Sequence, residues 1–193
     1  MKRYTMFVVP ALALLMATSV GAQNIPEPNG QYSIARHGSF AVCLNPAANY
    51  AEESCSASGV FVYPITDIAV GSITYASGSG CGTDTEVTSA LPPNAMPPSV
   101  GPETIVVKVT NYNSTTGIGS ASYTGYSGGS CNGADFDSSG ATVIATATLQ
   151  FVVTRDGRQV DIIFTQLTNP IHSLGSASLF DTDLRQTRYR DKP

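Results

Sequence analysis

The fold class is decided by residues 149–164, which read LQFVVTRDGRQVDIIF. Apolar and polar residues alternate on both sides of the pair Asp156-Gly157, and a period of two is typical of a half-buried β-strand. Asp-Gly between two such runs is a strong hairpin signal, because both residues tolerate the positive φ of a type I′ turn. The pattern predicts that strands over Gln150–Thr154 and Gln159–Leu167 pair antiparallel.

Similar strand patterns extend over most of the remaining chain. Thr104–Tyr112 alternates, with its apolar residues on one face. Weaker patterns rich in Thr, Ser, Val and Tyr lie at Gln31–Leu44, Gly59–Tyr63, Gly71–Ala76, Thr83–Thr88, Ile118–Tyr126, Ala141–Ala147 and Ser173–Phe180. Short strands with turns between them predict a single all-β domain of about 8–10 strands, which is an antiparallel up-and-down β-barrel or, as the alternative, a β-sandwich.

Three segments depart from the strand pattern. Two segments are short helical candidates, namely Pro46–Glu52, with Asn45 as its N-cap, and Ile65–Val70. Leu91–Pro102 contains five prolines, which cannot donate ladder hydrogen bonds, so it is predicted to be an exposed, extended loop. Such a loop is either a lid, with Met96 as a candidate lid residue, or a rigid connection between two parts of the sheet.

The N-terminus has the pattern of a secretory signal peptide. Lys2 and Arg3 precede an apolar run over residues 6–20, and Gly21 and Ala22 precede polar residues. The run is shorter than the ~20 residues that span a bilayer, so we predict cleavage after Ala22 and a mature chain without a transmembrane segment. The protein is therefore expected to be secreted or periplasmic.

The charge balance limits the partners. Only 12% of the residues are charged, about half the ~25% of an average protein. Cleavage removes two of the ten basic residues and none of the fourteen acidic ones, which leaves a net charge of −6. An acidic body cannot neutralise phosphates, so no nucleic-acid partner is expected.

We predict a signal peptide over 1–22, a barrel domain over 23–184 and a basic flexible tail over 185–193. Four basic residues gather in the tail, namely Arg185, Arg188, Arg190 and Lys192. The tail is either a solvated terminus or a tether to an anionic envelope surface.

All four cysteines, Cys43, Cys55, Cys81 and Cys131, lie in the predicted exported part. An even number in an oxidising compartment predicts two disulfides, among three connectivities. We favour Cys43–Cys55, which closes a short polar loop, and Cys81–Cys131, which joins two Gly/Ser-rich segments. Zinc is disfavoured because the chain has no Cys-x-x-Cys pair.

Two short motifs add a resemblance. Gly30-Gln31-Tyr32 opens the first predicted strand, and Arg185-Gln186 follows the last one. In these features the chain resembles the lipocalin-like (calycin) barrels and, more loosely, small exported β-barrel proteins of Gram-negative bacteria. In such barrels an arginine covers the barrel end near an aromatic residue of the first strand. The resemblance implies a pair of Tyr32 and Arg185, favours the barrel over the sandwich, and implies no particular ligand.

Two motifs suggest chemistry but are better explained as turns. The sequence Gly125-Tyr126-Ser127-Gly128-Gly129 matches Gly-x-Ser-x-Gly, although no helical pattern follows it. Asp135–Gly140 begins like a calcium loop, but its twelfth position is Thr146 rather than glutamate. Asp, Ser and Gly in this order also form ordinary turns. No cofactor or metal is predicted.

Isolated polar residues do not define a catalytic site either. His37 and His172 lack a neighbouring nucleophile signature. Glu86, Glu103 and Asp161 lie on predicted strands, but the sequence does not show whether any two of them meet. No catalytic residue is predicted, and an enzyme is disfavoured.

Two functions remain. The first is a monomeric secreted module that holds a small apolar molecule in the barrel, with ligand or lid candidates Tyr32, Met96, Tyr123 and Arg185. The second is a structural or surface-interaction protein with a packed interior that acts through its loops and tail. Small inward residues would leave a cavity of roughly 300 Å³ or more, whereas large ones would fill the barrel. The large residues predicted to point inward are Phe40, Phe61, Phe151 and Phe164.

Overall fold

The computed structural model describes residues 24–89, 100–168 and 174–185, and its regular structure is almost entirely β-strand. The helical candidate Pro46–Glu52 proves to be a shorter 3₁₀ helix, Pro46–Ala48, and its last two residues belong to a strand. Asn45 caps the 3₁₀ helix as predicted by accepting from the Ala47 amide. The strands are β1 (Gly30–Asn45), β2 (Ala51–Glu52), β3 (Phe61–Ala76), β4 (Ser79–Thr88), β5 (Val100–Asn113), β6 (Ile118–Ser127), β7 (Ser130–Asn132), β8 (Asp135–Asp137), β9 (Thr142–Val153), β10 (Gln159–Thr168) and β11 (Leu174–Arg185).

Eight of these strands close into one antiparallel barrel. Their order around the barrel is β1, β3, β4, β5, β6, β9, β10 and β11, and β11 returns to pair with β1. Each barrel strand therefore lies beside its successor, which is the up-and-down arrangement. The predicted all-β barrel is confirmed, and the sandwich alternative does not apply because the sheet closes on itself.

β9 and β10 form the predicted hairpin, and Phe151 pairs with Ile162 on its inner face. The turn differs from the predicted type I′. The Thr154 carbonyl accepts from the Gly157 amide at 2.8 Å, and within this turn only Gly157 has a positive φ, of 67°. Because the Thr154 amide bonds to the Gln159 carbonyl, the loop between them is longer than two residues. It contains a type I turn that ends in a left-handed glycine.

Two pairs of predicted segments prove to be single strands. Gly59–Tyr63 and Gly71–Ala76 both contribute to β3, and the prediction of a helical turn between them, at Ile65–Val70, is wrong. Residues in that segment alternate between buried and exposed, as in a strand. The alternation is hard to recognise in the sequence because one of its buried positions is Asp67. β9 likewise joins two predicted segments.

The predicted proline-rich loop, Leu91–Pro102, ends earlier than expected because its last three residues belong to β5. Pro102 is tolerated there because β5 pairs with β6 only from Thr104 onward. No β6 carbonyl therefore needs an amide donor at Pro102. The candidate lid residue Met96 lies outside the described residues.

The barrel interior contains a large group of packed side chains that we call the main apolar cluster. Its buried members are Ile25, Tyr32, Ile34, Ile73, Tyr75, Ile105, Val107, Ala121, Tyr123, Ala147, Leu149, Phe151, Val153, Val160, Ile162 and Phe164. Removal of this apolar surface from water stabilises the fold by about 25 cal/mol per Å². The packing leaves little space: a methyl group at Gly80 would lie 2.6 Å from the ring of Tyr75.

The chain itself covers one end of the barrel. Residues 24–29 precede β1, and Ile25 is buried within the main apolar cluster. The Ile25 amide donates to the Ser114 carbonyl at 2.7 Å. The Tyr112 hydroxyl lies 3.0 Å from the carbonyl oxygen of Ile25 and 2.9 Å from that of Pro26. These contacts hold the segment across the loops at this end.

At the opposite end, β1 and β3 extend beyond their barrel neighbours. Buried Val42, Leu44 and Ile65 form a small apolar cluster, against which Phe40, Tyr50 and Tyr63 pack. Phe151 and Phe164 lie inside the barrel as predicted, but the prediction for Phe61 is wrong, because its side chain is 60% exposed. Phe61 is the first residue of β3, and β3 meets β4 only from Asp67 onward.

Both disulfides have the predicted connectivity. Cys43–Cys55, with Cα atoms 5.2 Å apart, closes the loop that contains the 3₁₀ helix. Cys81–Cys131, with Cα atoms 5.6 Å apart, joins β4 to the small hairpin of β7 and β8. Two disulfides fit a protein of an oxidising, non-cytoplasmic compartment.

Several predictions concern residues outside the described part of the chain. They are the signal peptide over 1–22, His172 and residues 186–193 of the predicted tail; Arg185, the first residue of that tail, belongs to β11. Within the three described ranges, no helix has the length and apolar character needed to cross a membrane.

Candidate functional site

Charged side chains occupy inward positions at the level where β4 ends and β5 begins. On β1, Arg36 follows Tyr32 and Ile34 on the same face, and on β5, Glu103 precedes Ile105 on the same face. We call Arg36 and the four carboxyl groups of Asp67, Asp84, Glu86 and Glu103 the acidic cluster. It lies between the main apolar cluster and the small one.

The guanidinium of Arg36 is the centre of the acidic cluster. Its Nε donates to Asp67 Oδ2 at 3.0 Å, which connects β1 to β3. Its Nη2 donates to Glu86 Oε2 at 3.1 Å and to Glu103 Oε2 at 3.2 Å, which connects β1 to β4 and β5. Only 4% of the Arg36 side chain is exposed, so these are buried ion pairs that require well-placed partners.

The Tyr123 hydroxyl, on β6, is a further hydrogen-bond partner of the Arg36 guanidinium. It accepts from Arg36 Nη1 at 3.1 Å and donates to Glu103 Oε1 at 2.8 Å. Burial raises the pKa of Tyr123 well above its usual value, so the hydroxyl remains a donor. Gly125 is required beside it, because a methyl group there would overlap the Glu103 carboxyl group.

Asp84 is the least satisfied group of the cluster. Its side chain is fully buried, and its Oδ2 lies 3.3 Å from Arg36 Nη1. Among the residues that the structure describes, no donor forms a hydrogen bond with Asp84 Oδ1. A buried acceptor without a donor costs free energy, so such an atom needs an explanation.

The cluster holds protons as well as ion pairs. Its four carboxyl groups share one guanidinium, so full ionisation would leave three uncompensated negative charges. Burial raises the pKa of Asp84 to about 7. Burial, together with the nearby charge of Asp67, raises the pKa of Glu86 to about 8. Both acids therefore retain protons close to neutral pH.

β11 adds two more buried acids near the cluster, Asp181 and Asp183. Asp183 Oδ2 accepts from the Tyr75 hydroxyl at 2.7 Å. Burial, strengthened by the charge of Asp181, raises the pKa of Asp183 well above its usual value. The acidic character thus extends along the inner wall from β3 to β11.

No protein-family model matches this chain, and no curated protein or solved structure matches it either. The lipocalin-like resemblance stays a prediction.

The structure separates the residues predicted as ligand or lid candidates. Tyr123 belongs to the surroundings of the acidic cluster, whereas Tyr32 lies near the covered end and donates to the Gly157 carbonyl at 2.7 Å. Arg185, the last residue of β11, pairs with Tyr32 in the β1–β11 register. A methyl group at Gly30 would lie 3.4 Å from Arg185 Nη2, so this arginine lies along the first residue of β1.

The two motifs that suggested chemistry lie in turns, as the sequence favoured. Ser127 ends β6, and Gly128 and Gly129 follow it with φ values of 80° and 75°. Asp137 Oδ1 accepts from the Ser139 amide at 2.9 Å, which closes the turn after β8.

The other polar residues considered from sequence lie outside the barrel. His37 and Asp161 line a groove of about 510 Å³ on the outer wall, together with Ile118, Gln150, Val152 and Ile163. Asp161 is therefore separated from Glu86 and Glu103, which the structure brings to the same guanidinium nitrogen.

Sequence reasoning did not single out Arg36, Asp67 or Asp84 for the site. The sequence does contain a signal for these residues, because each one lies an even number of positions from buried residues of its strand and therefore on the same face. Asp67, for example, lies two residues from buried Ile65 and from buried Ala69.

Proposed function

We propose that this protein is an exported, non-enzymatic barrel that binds a small molecule, and that the acidic cluster is its recognition site. The observation that carries the proposal is Asp84, a buried acid whose Oδ1 receives no hydrogen bond from the described residues. A bound molecule that donates to this atom would remove the cost of burying it.

The ligand is placed at the acidic cluster because side chains fill the apolar part of the barrel. Tyr32 and Tyr75 contact edge to face, with ring centroids 5.5 Å apart. Tyr123 and Phe164 contact in the same way at 5.2 Å. These rings occupy the space that a small apolar molecule would need, so we do not extend the proposal to the apolar ligand expected from sequence.

The positions of three kinds of potentially catalytic side chain support a binding role rather than catalysis. The four cysteines are paired in disulfides, Ser127 lies at a turn, and His37 lies on the outer wall. In addition, Arg36 Nη2 bonds to both Glu86 and Glu103. The arginine thus occupies the position between two carboxyl groups that a substrate bond would need for acid–base hydrolysis.

Export is supported by the N-terminal sequence pattern and by the two disulfides. The test is intact-mass measurement of protein purified under native conditions from its own cell envelope and medium. We expect a chain that begins at Gln23, with an additional mass that disappears on denaturation. We also expect Asp84→Asn to lose the additional mass and Asp135→Asn, on the exposed β7–β8 hairpin, to retain it.

A structural protein with a packed interior is the second candidate. It is favoured by the contacts of Arg36, which connect β1 to β3, β4, β5 and β6. Native protein that never carries an additional mass, in the wild type or in either variant, would support this candidate and contradict the first.

A further inference from the structure

We infer that the ligand is a small organic cation with a primary ammonium group, which binds at the acidic cluster. This inference rests on the proposed binding function and names the chemical class of its ligand.

The charge of the cluster excludes the opposite class of ligand. Four carboxyl groups surround one guanidinium, and Asp181 and Asp183 add acids from β11. The only positive group of the cluster, Arg36, already directs its three nitrogens at oxygen atoms of neighbouring side chains. It therefore has no free direction in which to bind an anion, whereas a cation would be attracted by the excess of carboxyl groups.

The unsatisfied atoms of the cluster also match an ammonium. Asp84 Oδ1 is buried and receives no hydrogen bond from the described residues, and Asp84 Oδ2 forms an ion pair with Arg36 at 3.3 Å but no hydrogen bond within the described part of the chain. The exposed fraction of the Asp84 side chain is 0%. Once Asp84 has released its proton, both atoms are acceptors, so the group that completes them must be a donor, and a primary ammonium carries three donors on one charged atom.

An ammonium fits the cluster better than a metal ion does. Within the described ranges, no three acidic, histidine or cysteine side chains are placed to bind one metal. The carboxyl groups of the cluster instead surround Arg36, which keeps them apart. Calcium needs six to eight oxygens around one point, whereas an ammonium can donate to two or three separate acceptors.

Glu86 provides access to the cluster. Its side chain is 28% exposed, while the side chains of Arg36, Asp67, Asp84 and Glu103 are at most 4% exposed. Glu86 lies near the end of β4, on the side of the barrel opposite the segment that covers the other end. A cation would therefore meet Glu86 first and Asp84 further inside.

Cation binding should release protons. The groups that face Asp84 and Glu86 are Arg36 from β1, Asp67 from β3, Glu103 from β5, Tyr123 from β6 and Asp181 from β11. The buried inward residues of β9 and β10 are apolar. An ammonium that contacts a protonated carboxyl group forms an ion pair with the carboxylate, and the carboxyl proton passes to the buffer.

The experiment is isothermal titration calorimetry of the processed protein with n-butylammonium and 1,4-diaminobutane as probes. Neutral 1-butanol, anionic butyrate and calcium chloride are the comparison probes. Titrations at pH 7.5 in two buffers of different ionisation enthalpy count the released protons. We expect ammonium binding with proton release, and no binding of 1-butanol or butyrate.

Three variants localise the binding. Asp84→Asn is expected to weaken ammonium binding by at least about tenfold, because it removes one charged acceptor. Glu86→Gln should weaken binding in the same direction, and the surface control Asp135→Asn should leave it unchanged. Thermal melting of each variant establishes that the barrel is folded before titration.

The outcomes separate this inference from the proposed function. Binding of butyrate, 1-butanol or calcium more tightly than the ammonium probes would overturn the ammonium assignment and leave a binding protein with another ligand. Unchanged ammonium affinity in folded Asp84→Asn would overturn the location. Absence of binding for every probe overturns the inference, and if native protein also carries no additional mass, the proposed binding function fails with it.

Discussion

The main apolar cluster and the acidic cluster are built by the same strands on the same inner face. β1 contributes Tyr32 and Ile34 to the first cluster and Arg36 to the second, and β5 contributes Ile105 to the first and Glu103 to the second. The apolar cluster gains stability simply by leaving water. The acidic cluster loses its hydration, and ion pairs and retained protons must offset the free energy that this loss costs. Inward position therefore determines burial, whereas side-chain type determines whether burial stabilises the fold.

The largest expected difference between the two clusters comes from Arg36→Met. Removal of the guanidinium leaves four carboxyl groups around an uncharged side chain, and we expect the free energy of unfolding at pH 8 to fall by about 3–5 kcal/mol. At pH 5 the loss should be smaller, because Asp84 and Glu86 are then protonated. Urea denaturation at the two pH values measures both effects. Exposed Arg158→Met is the control, and an equal loss at both pH values would contradict the electrostatic explanation.

Leu149→Ala tests the other cluster. The Leu149 side chain is 1% exposed, so its truncation should lower the free energy of unfolding by about 2–5 kcal/mol through lost burial and a cavity. The loss should be the same at pH 5 and pH 8, because no titrating group is removed. A loss in urea denaturation that depends on pH would show that the two clusters do not act independently.

The stability of the whole barrel should decrease as the pH rises from 5 to 8. Burial raises the pKa of Asp84 to about 7 and of Glu86 to about 8, so the folded state holds protons that the unfolded state has released. Each such proton lowers the free energy of unfolding by about 1.4 kcal/mol per pH unit. The free energy of unfolding begins to fall when the pH exceeds the pKa values that these acids have in the unfolded state. It stops falling when the pH exceeds their pKa values in the folded state. Thermal melting across this range measures it.

Asp84→Asn separates this effect from other titrations. It should flatten the decrease between pH 5 and 8 and make the protein more stable than the wild type at pH 8, because a neutral amide replaces a buried acid. Exposed Asp135→Asn should leave the pH profile unchanged. A wild-type melting temperature that rises from pH 5 to pH 8 would be incompatible with the protonated cluster.

The smallest effect is expected at Tyr123, which belongs to both regions. Tyr123→Phe keeps the ring contact with Phe164 but removes the bonds to Glu103 and Arg36. We expect the free energy of unfolding to fall by about 1–2 kcal/mol, the cost of unpaired buried polar atoms. Tyr126→Phe, on the outward face of the same strand, should cost less. Similar losses in the two variants would mean that the Tyr123 hydroxyl has no special role.

The strands and the apolar cluster could be predicted because they follow the expected alternation. Leu149, Phe151 and Phe164 recur every second residue on either side of a turn, so their common face could be read directly. Disulfide pairing could also be predicted, because Cys43 and Cys55 flank a short polar loop and Cys81 and Cys131 lie in Gly/Ser-rich segments. Phe61 was misplaced because alternation does not show where a strand leaves the barrel.

The acidic cluster could not be predicted as a unit, for two physical reasons. A charged residue at an inward position breaks the apolar alternation, and Asp67 therefore made a strand resemble a helical turn. The cluster also depends on register across several hairpins, which brings Glu86 and Glu103 to one nitrogen of Arg36. Register depends on the paired structure, and a shift of one residue reverses the face that a side chain occupies.

The contacts of Arg36 have a consequence for how the barrel selects its own alignment. One guanidinium reaches groups on four other strands. A strand paired one residue out of place would turn its acid toward solvent and leave the arginine short of a partner. A misaligned sheet is therefore destabilised because a buried charge lacks its counter-ion. Apolar packing selects the alignment less strictly, because many alignments can bury apolar side chains.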